Sequence, residues 1–384
     1  MEAALLLAGA CYSRQMRIGI DARLLHYTKA GISQYTRRLL EGLAQLDVRE
    51  EVIVLRSRKS RPSSLPLTHF RSVPMFTPPH GRFEQIGLRL EMPGLGLDLL
   101  HSPDFIPPFH RQFKSVVTVH DLAFLLYPHL LTRESAHYYG QIDQAVRSAD
   151  HIIAVSESTR RDAIRLLGVA EDRVTVIHEA VNPIFRRLED QAAVGNVRTR
   201  YGLPGTYVLS VGTIEPRKNL PTLFRAIRRL VDQHAGDVAL AVVGAWGWLY
   251  DEAVQVFEGL GLSDIVHFLG HVPEDDLVAL YNGASVFAYP SYYEGFGLPV
   301  LEAMACGTPV VASETSSVPE VVGDAGLLVS PQDDEAIAVA LWRVLSDASL
   351  RETLVQRGLQ RVRAYTVPSM AQRTLDLYRA VLRL

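Results

Sequence analysis

Ser285-Val-Phe-Ala-Tyr289-Pro290-Ser-Tyr-Tyr-Glu294-Gly-Phe-Gly-Leu-Pro299-Val-Leu-Glu302-Ala-Met-Ala-Cys-Gly307 reads as a strand, a loop and a helix in immediate succession. The apolar run 285–289 suits a buried strand, and Pro290 ends it because proline has no N–H to give a ladder. Pro299 suits the first turn of a helix, where its missing N–H would be unpaired anyway. Gly307 suits the left-handed residue after a helix end. Between strand and helix, Gly295 and Gly297 leave the backbone bare at a helix start, where outward amides attract anions.

The same alternation runs through the chain and argues for parallel sheets with crossover helices. In the first half it predicts strands over 17–20, 51–55, 97–101, 115–119, 151–155 and 174–177, and helices over 33–45, 133–148 and 157–167. The Pro-rich polar stretch 57–79 reads as long loops. The second half predicts strands over 207–211, 239–243, 265–268, 285–289, 308–312 and 326–329. Its helices fall over 220–233, 250–260, 274–283, 299–306, 333–345 and 368–384. Residues 181–205 break the composition and read as a linker. The expectation is an α/β protein of two Rossmann-like domains facing a central cleft: 16–195 joined by a C-terminal helix 366–384, and 196–365. Residues 1–15 are expected to be a disordered extension.

A length of 384 residues suits two domains, and 48% apolar residues can fill their cores. A net charge of −3 gives no reason to expect a nucleic-acid partner. Cys11 and Cys306 cannot form a disulfide framework, which favours a reducing, cytoplasmic setting. The apolar run 3–10 falls far short of the roughly 20 residues that a spanning helix needs.

Several side chains collect at strand ends. Glu294 and Glu302 can each accept two hydroxyl hydrogen bonds, as sugars and riboses require. After strand 207–211 comes Gly212-Thr-Ile-Glu-Pro-Arg217-Lys218-Asn219, with Asn219 expected to cap the next helix. Helix starts disfavour cations, so Arg217 and Lys218 there mark a conflict that anion binding would explain. His120 follows strand 115–119. Lys29 and Gly31 precede Ser33, read as a helix cap. Ser156 is read as a structural cap.

These stretches, with 19–35, 149–158 and 292–309, resemble the retaining glycosyltransferase family 4, whose members have the two-Rossmann-domain GT-B fold. The resemblance spans Met16–Leu384. It implies that Glu294 holds the donor sugar, that amides of Gly295, Phe296, Gly297 and Leu298 meet sugar and phosphate, and that Glu302 binds ribose. It further implies that Arg217 and Lys218 clamp the diphosphate, that His120 lies at the sugar, and that Gly31 lies on the phosphate or acceptor side; Gly212, which opens the cationic loop, is counted among the donor-binding residues. Base selection is expected near Gly244 and Val272. No cofactor and no metal are expected; no Asp-x-Asp occurs in the chain.

The loop sequences look most like bacterial mannosyltransferases of surface polysaccharide assembly. GDP-mannose is the leading donor, with a UDP-sugar as alternative, and the acceptor is a saccharide or a lipid-linked saccharide. A nucleotide-sugar epimerase on similar domains is the rival reading. The basic cluster Arg56, Arg58, Lys59 and Arg61 offers peripheral contact with anionic headgroups at the inner face of a membrane.

Overall fold

The computed structural model describes residues 15–27, 31–60, 69–81, 83–128, 140–234 and 238–383. Cys11, Lys29, Arg61, nearly all of the N-terminal extension and the 133–139 part of a predicted helix lie outside the described residues.

The described strands form two wholly parallel sheets. The first has the order β3 (Arg71–Met75), β2 (Glu51–Ser57), β1 (Arg17–Asp21), β4 (Leu99–Ser102), β5 (Lys114–Val119), β6 (His151–Ala154), β7 (Val174–Val176). The second has the order β10 (Val266–Gly270), β9 (Val238–Val243), β8 (Thr206–Val211), β11 (Val286–Tyr289), β12 (Val310–Ser313), β13 (Gly326–Val329). Central strands such as β4, β6 and β11 are buried along their whole length, as expected for parallel strands covered on both faces. Strand order reverses between β1 and β4 in one sheet and between β8 and β11 in the other. Crevices at such switch points are where parallel sheets bind ligands.

The terminal helix Val367–Arg383 returns to the first domain, as expected. It packs on the helix Gly31–Leu43 so closely that a Cβ on Gly42 would lie 2.6 Å from Ala371 Cβ. Met370, Leu375 and Tyr378 join Ile18, Leu39 and Ile153 in the first core.

Three readings are corrected. The stretch expected as loops contains β3, an edge strand where Pro74 costs little because one side needs no donor. It is followed by an unanticipated helix, Glu84–Glu91. Inside the expected linker lies the helix Gln191–Arg200, whose Val197 belongs to the second core; the 195/196 boundary would cut it, so the chain crosses before Gln191. The helices Val318–Val322 and Ala348–Arg361 were also missed.

Candidate active site

The loop after β11 is held by its carbonyls. Ser317 Oγ donates to Glu294 O (2.9 Å) and Phe296 O (2.7 Å), and Ser316 Oγ accepts from Glu294 N (2.9 Å). Phe296 is buried against His178 and Tyr365, with ring centroids 5.8 Å away in each case. Gly297 has φ +114, a conformation glycine adopts without strain, and the helix Leu298–Ala305 starts behind it with Pro299 in its first turn. Among the described residues nothing accepts from the amides of Gly295, Phe296, Gly297 and Leu298. Glu302 lies one turn into this helix and accepts from Tyr281 O–H at 3.1 Å. Its enclosure raises its pKa, against the pull of Arg38 and the Tyr281 hydrogen bond.

The loop after β8 faces it across the β8/β11 switch. Lys218 Nζ donates to Glu294 Oε1 (2.7 Å) and Tyr289 Oη (3.0 Å). Arg217 pairs with Glu294, donates to Tyr293 O (3.0 Å), and pairs with Glu215 (2.7 Å). Burial alone would raise the Glu294 pKa, but Arg217 and Lys218 outweigh it and hold the carboxylate at about 2. For Lys218, burial and the neighbouring Arg217 prevail over Glu294 and lower the ammonium pKa. Two cations expected at a diphosphate and a carboxylate expected at a sugar thus form one cluster, with Glu215 as the second counter-charge.

Asn219 does not cap the following helix with its side chain. At φ +57 it closes the turn Pro216–Lys218, and its Nδ2 donates to Pro290 O (3.0 Å) and Pro331 O (2.6 Å), binding two loops together. Gly244 is required by the backbone: a Cβ there would sit 1.9 Å from Gly212 O. Val272 is 5% exposed and packs in the second core.

On the first domain, His120 follows β5. Its Nδ1 faces Glu179 Oε1 at 2.8 Å and its Nε2 faces Pro103 O at 2.9 Å. Burial lowers its pKa, but the Glu179 hydrogen bond and charge raise it more, so the net shift is upward. With acceptors on both sides the imidazolium is the form this pocket satisfies. Gly31 begins its helix instead of preceding a cap, at φ +35 with open space around a notional Cβ, and Ser33 is buried in the first turn.

The two sides meet. Gly295 O accepts from Ser156 Oγ (2.6 Å) and Thr159 Oγ1 (3.1 Å), and Tyr293 O–H donates to Asp162 Oδ2 (2.8 Å). Glu320 accepts from the Glu157 amide (2.9 Å) and contacts His178 Nε2 (2.6 Å). Ser156 does cap its helix, through Thr159 N at 3.0 Å, but it also joins the domains. Its place at the carboxyl end of β6 was the available signal. Glu179, Asp162 and Glu320 carried none.

Residues 201–361 match the family described as Glycosyl transferases group 1, and residues 30–184 match Glycosyltransferase Family 4. O-antigen chain mannosyltransferase B of Escherichia coli is 36% identical over 283 residues, 73% of this chain and 74% of that protein. The serotype-specific mannosyltransferase WbdA of the same species is 31% identical over 292 residues, 74% of this chain but 36% of that longer protein. In fold, the chain is similar to sucrose-phosphate synthase of Thermosynechococcus elongatus (TM-score 0.76, 24% identity, 96% of this chain and 100% of that one). It is also similar to Anabaena HepE, solved with UDP-glucose (TM-score 0.75, 20% identity, 95% and 100%). Two parallel sheets with cation and glutamate loops at the second switch point, and relatives of this closeness, lead to one conclusion: the chain belongs to glycosyltransferase family 4 and is a glycosyltransferase of the GT-B fold.

Proposed function

We propose that the chain transfers a hexose, mannose from GDP-mannose in the first instance, onto a saccharide or lipid-linked saccharide with retention at the anomeric carbon. The observation that carries this is the cluster of Arg217, Lys218 and Glu294 beside the bare amides 295–298 at the β8/β11 switch. In this reading the donor diphosphate takes the place of Glu294 as partner to the two cations, and Glu294 turns to the sugar hydroxyls. Glu302 holds the ribose, and Gly212 and Gly244 line the nucleotide side.

The bond from anomeric carbon to diphosphate breaks as the acceptor hydroxyl bonds to the same face, and the acceptor proton passes to the leaving phosphate. Charge stabilisation and positioning then do the catalysis, with Arg217 and Lys218 neutralising the diphosphate and no metal called upon. His120, held by Glu179, orients the sugar from the other wall. The acceptor enters over the β1/β4 switch, where Asp21, Arg23, His80, Ser102 and Asp104 line a pocket.

The mannosyltransferase relatives support mannose; the UDP-sugar bound by HepE keeps the alternative base in play. A thermal-shift panel of GDP-mannose, GDP and UDP-sugars separates them. A ligand at a hundred times its Kd adds about 2.7 kcal/mol. Stabilisation by GDP-mannose and transfer to a mannan-type acceptor are expected. Stabilisation by UDP-sugars alone would replace the donor, and an epimerised nucleotide sugar from donor alone would replace the reaction.

A further inference from the structure

The helix Glu84–Glu91 is built inside out. Both its carboxylates are engaged by the protein: Glu84 pairs with the buried Arg23 at 2.7 Å, and the half-buried Glu91 accepts from the amides of Phe76 (2.7 Å) and Thr77 (2.9 Å). Leu88 and the following Met92 fill a small core with Met75, Leu97 and Leu100. The outward face carries Ile86 at 62% and Leu90 at 79% exposure, one turn apart, with Phe83 at 76% just before the helix. The Glu91 contacts fix Phe76, 70% exposed, beside the end bearing Leu90. These are the four most exposed large apolar side chains among the described residues. Scattered exposed apolar residues are ordinary; four on one ledge are not.

One cation touches this ledge, and two more stand exposed on the same segments. The Arg58 guanidinium lies 4.7 Å over the Phe76 ring, and Lys59 and Arg89 are exposed nearby in sequence. Of the basic cluster read from the sequence, Arg56 is turned inward, onto Ser72 Oγ (3.0 Å) and Ser60 O (3.1 Å), and is not available. An apolar strip rimmed by cations, with its acids withdrawn, is complementary to an anionic bilayer: rings and aliphatic chains enter the headgroup–acyl boundary while Arg and Lys meet phosphates. No described helix is long and apolar enough to cross a membrane, so the contact is a surface one.

We propose that Phe76, Phe83, Ile86 and Leu90, with Arg58, Lys59 and Arg89, form a docking surface for an anionic lipid membrane. The inner face of the same helix, through Glu84, lines the first-domain pocket at the β1/β4 switch. Docking therefore sets that pocket beside the lipid surface, where the saccharide of a lipid-linked acceptor stands. The docking itself does not depend on the proposed reaction, because vesicle binding needs no nucleotide sugar.

The full chain is tested by co-sedimentation with phosphatidylcholine vesicles and with phosphatidylcholine–phosphatidylglycerol vesicles. Binding to the anionic vesicles is expected. The triple variant Phe83→Ser, Ile86→Ser, Leu90→Ser should weaken it at least roughly tenfold, since it removes the apolar area to be buried. Arg58→Gln with Lys59→Gln should weaken it roughly fivefold per cation. Both variants should transfer sugar to a soluble acceptor at the parent rate. Wild-type protein that ignores anionic vesicles, or a folded triple variant that binds them equally well, overturns the proposal. So does a dimer of the wild type that the triple variant abolishes without any vesicle binding. Should the triple variant not fold, Leu90→Trp decides: a blue-shifted emission on vesicles, relative to wild type, supports docking, and an unchanged one overturns it.

Discussion

A Cβ placed on Gly295 would lie 1.8 Å from the carbonyl oxygen of His120 and 2.8 Å from the carbonyl carbon. The obstacle is backbone of the opposite domain, which cannot rotate away. Gly295 is therefore one of the points at which the two walls of the cleft touch, and its carbonyl is tied there by Ser156 and Thr159. Gly295→Ala should push the walls apart by about an ångström, a misplacement that costs roughly a hundredfold in rate. The second domain itself should stay folded, because the atoms nearest the new methyl belong to the first. Steady-state kinetics beside a thermal melt checks this; parent kcat with alanine at 295 would show that the contact is not needed for turnover.

Glu294 links the loops across the second switch point. A carboxylate whose pKa is depressed from 4.5 to about 2 adds stability at all pH values above its ordinary range, and that contribution is lost only as pH falls through the lower value. Glu294→Gln removes the carboxylate paired with Lys218 and one of the two paired with Arg217, Glu215 remaining, and should cost roughly 3–5 kcal/mol. The deficit should hold steady from neutral pH down to about 5, where wild-type Glu294 is still ionised. A nucleoside diphosphate returns negative charge to the same cations, so it should raise the melting temperature of the variant more than that of the parent. An equal or smaller rise would separate the cation pair from the phosphate.

Lys218→Ala removes the point charge on the proposed leaving group and should lower kcat at least roughly tenfold. Lys218→Arg should recover only part of this, because the fork cannot copy a single ammonium between Glu294 and Tyr289. Turnover at the parent rate with alanine would remove the clamp from the mechanism.

Much of this site was legible because it is local. Strand, Pro290, two glycines, Pro299 and Gly307 follow each other within 23 residues, and each acts on its own backbone. What escaped is what folding brings together. His178 and Glu320 are 142 positions apart, and His120 and Glu179 are 59 apart; no periodicity joins them. The strand β3 was hidden by Pro and Ser around it, since its pairing partner β2 and not its own composition makes it a strand. The helix Glu84–Glu91 was hidden because Glu84 is buried while Ile86 and Leu90 are exposed, against the pattern that marks a helix in sequence.

His120 offers a prediction in pH. Its raised pKa adds stability fully below the ordinary value of 6.5, and that contribution fades as pH rises through the folded value. Glu179→Gln keeps the shape but removes the charge, leaving burial to act in the opposite direction. The His120 titration, followed by NMR, should move to lower pH, and the alkaline limb of kcat should move with it. An unmoved titration would mean that Glu179 does not set the charge of His120.

Glu320 closes the far side of the domain contact. It caps the start of the helix Glu157–Leu167 through the Glu157 amide and meets His178, both from the other domain. Burial would raise its pKa, but His178 and the Glu157 amide lower it, so the carboxylate stays ionised and grips both. Hydrogen bonds to a charged group contribute about 1.5–3 kcal/mol, and Glu320→Ala forfeits two of them. Among the described residues the Glu320 carboxylate hydrogen-bonds only the first domain, at Glu157 and His178, and in the proposed reading the second domain holds the donor, so donor affinity should stay within about twofold by thermal shift, well inside the factor of ten that 1.4 kcal/mol represents. Acceptor KM should rise, and small-angle scattering should show a more open particle. Weakened donor binding with an unchanged scattering profile would instead place Glu320 in the donor site.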